Sequence, residues 1–194
     1  MGAKRMDKCI IMVDNSNVFI EGQKYSARLK GVKKAPSEDR DPCDPSWRIS
    51  FGDLISCLAE GRKIHAAILV GSRPPRNDSV WESARTHGFD VTVYDRGVGG
   101  QEKAVDTELV ARGTEIICMA AEPMVTVIAS GDRDFIPLVN VSHRKGWEVE
   151  MWAFTSAFNP RGEMATTVDR TKPLDSVFPK IGYHDFDWPI PSTP

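Results

Sequence analysis

Two aspartates flank an arginine in Ser130-Gly131-Asp132-Arg133-Asp134-Phe135, at the end of an apolar run. A third, Asp14, closes the apolar run Lys8–Asp14, and a fourth, Asp106, follows Lys103-Ala104-Val105. Carboxylates gathered in one crevice repel. Near 4 Å each like-charged pair costs roughly 4 kcal/mol at an effective dielectric of about 20. A divalent cation relieves that repulsion, and carboxylates plus water are what Mg²⁺ or Mn²⁺ prefers. Each acid alone has a plainer reading. Asp14 suits a helix cap, the Asp132/Asp134 pair a surface turn, and Asp106 a favourable charge in a first helical turn. Their joint occurrence at expected strand ends is what points to a metal site.

The elements that must hold these residues alternate along the chain. Short apolar runs at 8–14, 63–71, 89–94, 125–130 and 147–154 read as strands, several apolar throughout as in a buried parallel sheet. Between them lie helical stretches: 18–29 after the cap chemistry of Asn15-Ser16-Asn17, one opening at Ser50-Phe51-Gly52-Asp53, one from Asn77 or Asp78 to His87, then 103–119 and 135–145. Strands separated by helices imply a three-layer αβα sandwich with a central parallel sheet of about five strands. Such sheets bind ligands beyond the carboxyl ends of their strands, where the strand order reverses. If the first and fourth of these strands are neighbours there, Asp14, Asp132 and Asp134 converge, and Asp106 can point at the same crevice.

Basic residues fall on the same edge. Arg73 and Arg76 follow the second strand, Arg96 and Lys103 bracket the glycine-rich loop after the third, and Arg133 lies between the paired acids. The chain carries a formal charge of −2, which removal of the four acids turns into +2. The acids would then hold metal while the rim attracts phosphate. Near-neutral charge excludes a protein that coats nucleic acid by bulk positive charge. With 41% hydrophobic and 27% charged residues, the 194-residue chain reads as globular, and no apolar run is long enough to span a bilayer. Cys9, Cys43, Cys57 and Cys118 lack ligand or disulfide spacing, and the first residues lack an apolar signal core, so cytoplasm or nucleus is expected. Gly97-Val98-Gly99-Gly100 fails as a dinucleotide fingerprint because Glu102 replaces the third glycine, and the four histidines are dispersed. Of the five tryptophans, Trp147 and Trp152 are expected in the core, leaving Trp47, Trp81 and Trp188 to stack on bases. The expected organisation is an extension at 1–7, one domain at 8–183 with a charged loop insertion at 31–47, and a polar tail at 184–194.

The runs Ile11–Phe19 (IMVDNSNVF), Gly71–Pro75 (GSRPP), 103–113 (KAVDTELVARG) and Ser130–Leu138 (SGDRDFIPL), with the glycine of Lys145-Gly146-Trp147, resemble the NYN domain family of PIN-like nucleases. The resemblance runs in order from about residue 8 to residue 154, and none of the four acids is replaced. It implies a parallel α/β sheet with an acidic metal site, and a metal-dependent ribonuclease, an endonuclease acting on single-stranded or loop RNA. Carried over by position, it implies Asp14, Asp106, Asp132 and Asp134 as catalytic metal-binding residues. It likewise implies Asn17 as an orienting residue, with Lys103 and Arg48 as basic residues of the substrate path, beside Arg73, Arg76 and Arg133. Two other readings stand beside it: a non-catalytic RNA-binding or scaffold module of the same fold, and a small-molecule phosphohydrolase. The latter is weakened by Ser16, which stands where that chemistry wants a second acid.

Overall fold

In the computed structural model, residues 6–34, 38–73, 78–95 and 102–188 are described. Strand β1 (Lys8–Asp14) runs into helix α1 (Asn15–Leu29); β2 (Trp47–Ile49) and α2 (Phe51–Ala59) lead to β3 (Lys63–Arg73). Next come α3 (Ser79–Thr86), β4 (Asp90–Asp95), α4 (Glu102–Met119) and β5 (Val125–Ala129). A 3-10 turn (Arg133–Phe135) precedes α5 (Ile136–Arg144) and β6 (Glu148–Ala153). The chain continues through α6 (Glu163–Thr167), β7 (Arg170–Pro173), a second 3-10 turn (Leu174–Val177), α7 (Phe178–Ile181) and β8 (Gly182–His184).

The main sheet has the order β4-β3-β1-β5-β6-β7, with every neighbouring pair parallel. From β1 the chain builds outward through β3 to β4, then returns to β5 on the other side of β1 and builds outward again. The order therefore reverses between β1 and β5, the switch point where an open α/β sheet leaves a crevice. Alternation along the central strand divides the core. Cys9, Ile11 and Val13 face the layer of α1, α2, α3 and α7, whereas Ile10 and Met12 face the layer of α4, α5 and α6. Burial on both faces explains why β1 is apolar from Cys9 to Val13, all at most 1% exposed.

Among the described residues the sheet has six strands, against the expectation of about five. The sixth, β7 (Arg-Thr-Lys-Pro), is an edge strand, exposed at Arg170, Thr171 and Pro173. Edge strands tolerate polar residues and proline, so its sequence has no apolar signature. A second, two-stranded sheet pairs β2 antiparallel to β8, setting Trp47 opposite His184. The expectation of an exposed loop over 31–47 is corrected at its end, where Asp44, Ser46 and Trp47 turn inward and are buried. Trp47 fits because a side chain at Gly22 or Gly182 would occupy its ring, and it stacks on Phe178 at 5.4 Å. Burial also withdraws Trp47 and Trp81 as base-stacking surfaces. Among the described residues no helix is long and apolar enough to cross a membrane.

Candidate active site

Asp14 ends β1 and caps α1: its Oδ1 accepts the backbone N–H of Asn17 at 3.1 Å. The plain reading of this residue as a cap is therefore correct, and its other oxygen remains for the crevice. That oxygen, Oδ2, accepts the hydroxyl of Ser130 at 3.3 Å, from the residue that follows β5. The same hydroxyl oxygen accepts the backbone N–H of Asp132 at 3.3 Å, so one buried serine ties both strand ends together. Asp132 in turn caps the 3-10 turn, its Oδ1 accepting the Asp134 N–H at 3.0 Å. Two glycines permit this closeness. A Cβ on Gly131 would stand 2.8 Å from the Ala157 carbonyl oxygen, and one on Gly113 would stand 2.3 Å from the Met12 methyl. The first lets the chain leave β5 beneath the 157–158 segment. The second lets α4 lie against β1, which brings Asp106 to the switch point.

Asp106, Asp132 and Asp134 each offer a carboxylate oxygen within 4.8 Å of the others. Asp14 stands outside this triad and lines the neighbouring cavity of about 320 Å³ with Asp106 and Asp132. Burial pushes the Asp14 carboxyl up to about 6; the Asn17 amide and Ser130 hydroxyl pull it down, and the charge of Asp132 adds to the rise. Its ordinary value is near 3.8. None of the residues lining the cavity is histidine or cysteine. An all-carboxylate donor set of this kind fits a hard, oxygen-preferring cation such as Mg²⁺ or Mn²⁺.

The NYN domain family matches residues 11–171, from the middle of β1 to β7. The chain belongs to the NYN domain family. No curated protein matches it. A crystal structure of a protein of unknown function from Vibrio parahaemolyticus is similar in fold, with a TM-score of 0.65 at 17% identity. That likeness covers 94% of this chain and all of the other. At that identity it speaks for the fold alone. Membership brings with it a PIN-like nuclease fold, and the family is one of ribonuclease-like hydrolases that use divalent metals.

The remaining expected residues of this NYN domain divide. Asn17 lines the cavity. Arg133 is exposed beside the triad. Arg48 does not reach the cavity: its guanidinium pairs with Asp185 at 2.7 Å and donates to the carbonyls of Pro45 and Trp47. Any contact it makes with substrate therefore lies outside this cavity. Arg76, Arg96 and the side chains of Arg73 and Lys103 lie outside the described residues. Sequence reading missed Ser130 and the inner face of α1, where Ser16, Ile20, Glu21 and Lys24 line the cavity with Asn17. The available signal was helical spacing. Once Asn17 is placed toward the site, positions three, four and seven residues later lie on the same face.

Proposed function

We propose that this NYN domain is a metal-dependent endoribonuclease that hydrolyses phosphodiester bonds in single-stranded or loop RNA. The observation that carries the reading is the gathering of Asp106, Asp132 and Asp134 at the switch point, beside a cavity walled by Asp14. The three carboxylates would hold Mg²⁺ or Mn²⁺, which when bound supplies charge stabilisation for the phosphoryl oxygens. Asp14, outside the triad and lining the cavity beside it, is placed to take the proton of the attacking water. Its Asn17 and Ser130 hydrogen bonds fix the orientation in which it does so. The water oxygen bonds to phosphorus, the bond to the departing ribose oxygen breaks, and that oxygen leaves carrying a proton from solvent. Arg133, in the turn that carries two of the acids, would hold the RNA backbone together with Arg73, Arg76 and Lys103.

The test is incubation of the purified protein with end-labelled single-stranded RNA in Mn²⁺, in Mg²⁺ and in EDTA. Internal cuts with either metal and none in EDTA are expected. RNA retained but never shortened, under all three conditions, would instead make the domain a binding module.

A further inference from the structure

Beyond the acids, the cavity continues along one face of α1, and its far end carries a lysine held in place. Lys24 Nζ donates to Glu21 Oε1 at 2.7 Å, and Glu21 Oε2 accepts the Ser156 hydroxyl at 2.8 Å. Ser156 is itself held by the Arg28 guanidinium at 3.0 Å. An ion pair three residues apart on a helix contributes little to stability by itself. This one is instead fixed from a second element, the loop after β6, and both partners line the cavity. One N–H of the ammonium is used on Glu21, which leaves two donors. Between Lys24 and the acids, on α1, lies Ile20, an apolar side chain 37% exposed that lines the pocket together with Val105. From Asn17 to Lys24 the helix rises about 10 Å at about 1.5 Å per residue.

We propose that this face of α1 is a base seat: one unpaired base of the RNA lies on Ile20, and Lys24 donates to a carbonyl oxygen or ring nitrogen on that base's edge. The proposal rests on the ribonuclease reading and adds to it a nucleotide position beside the scissile bond. A cavity of about 320 Å³ is at the small end of ligand pockets. It has room for a single splayed-out nucleotide, whereas a base in a stem stays stacked and paired. Glu21 acts here as a positioning residue. It keeps Lys24 from swinging to the nearer acids, which would otherwise draw the ammonium in and block the metal.

The experiment measures equilibrium binding in EDTA and cleavage in Mn²⁺ for wild type, Ile20→Ala and Lys24→Ala. The probe is a short unstructured RNA, used intact and with one abasic nucleotide scanned across the cleavage position. Each variant should bind intact RNA about fivefold more weakly, with a raised KM and an unchanged kcat. In wild type, one abasic position should produce the same loss. In the variants that abasic position should cost nothing further. If the variants lose equally on intact and abasic RNA, Lys24 acts on the backbone and the seat is overturned. If both variants bind and cut like wild type, the seat is overturned while the ribonuclease reading stands. If no RNA is cut but the variants still show the abasic-sensitive binding loss, the seat stands and the catalytic reading fails. Circular dichroism of both variants confirms that these surface changes leave the fold intact.

Discussion

Two buried carboxylates lie in the same sheet layer and meet opposite environments. Glu150, fully buried on β6, has both oxygens committed to cations. Arg62 grips it at 3.0 and 2.8 Å, Arg170 at 3.0 Å and Lys172 at 3.2 Å. Burial works against its charge, yet Arg62 and Lys172 outweigh that and hold its carboxyl below the ordinary value. Asp14, 7% exposed at the end of β1, is met among the described side chains by no cation within ion-pair distance. The Asn17 and Ser16 amides and the Ser130 hydroxyl are its partners, another aspartate is nearby, and burial pushes its carboxyl up instead. Among the described side chains, counter-charge is supplied at one site and not at the other.

This contrast is open to attack where the expected effects differ most. Glu150→Gln should destabilise the fold by about 3–5 kcal/mol, because it strands the buried Arg62 charge. Urea unfolding measures it, and a change under about 1 kcal/mol would show that the network is ornamental. Asp132→Asn should do the reverse, leaving the urea midpoint in place while cleavage in saturating Mn²⁺ falls about a hundredfold or more. Single-turnover rates would refute the site if they matched wild type.

The third comparison turns on pH. A carboxyl whose folded value is raised contributes stability that is fully present below its unfolded value of about 3.8 and is lost as pH rises through about 6. In EDTA, Asp14→Asn should therefore raise the melting temperature at pH 8, by the equivalent of roughly 2 kcal/mol, and gain nothing at pH 3.5. Asn retains the acceptor that caps α1. Asp44 provides the opposite sign. Despite its burial, hydrogen bonds from Lys30, Ser26 and Ser46 hold its carboxyl well below the usual range, so its contribution is present above about 3.8 and disappears in stronger acid. Melting curves of Asp44→Asn that improved at pH 8 would erase the distinction.

The smallest effect belongs to the exposed member of the triad. Asp134→Asn in EDTA should raise stability by about 0.5 kcal/mol, by removing one like charge. In Mn²⁺ it should reduce the stabilisation the metal confers on wild type. Calorimetry in the two buffers reads both signs, and a lower melting point in EDTA would mark Asp134 as structural.

The part of this design legible in the sequence was the part governed by local rules. The apolar runs around Asp14 and Asp132 announced strands buried on both faces, and two parallel strands ending in acids located the crevice. What escaped depended on partners remote in sequence. Trp47 follows a run of charges and prolines, and only the absence of side chains at Gly22 and Gly182 makes room for its ring. Arg48 has the charge of a phosphate contact, but its neighbour in β8 brings Asp185 to it. The seat on α1 escaped for another reason. Ile20 and Lys24 are ordinary helix residues, and only Ser72, Val105, Asp106 and Asp132, brought up from other elements, make their face the wall of a cavity.

The pairing of β2 with β8 also bears on the order in which the molecule is made. It joins positions more than a hundred residues apart, so loop closure must precede the contact. On a ribosome the six parallel strands can be synthesised, and the acids brought together, while Trp47 still lacks the glycine that accommodates it. Until Phe178 and Gly182 emerge, the nascent chain presents the Trp47 indole and the Tyr25 ring, which Phe178 later covers, to its surroundings. That interval is when a chaperone would find the most to hold, and when a chain cut before Gly182 would be left adhesive.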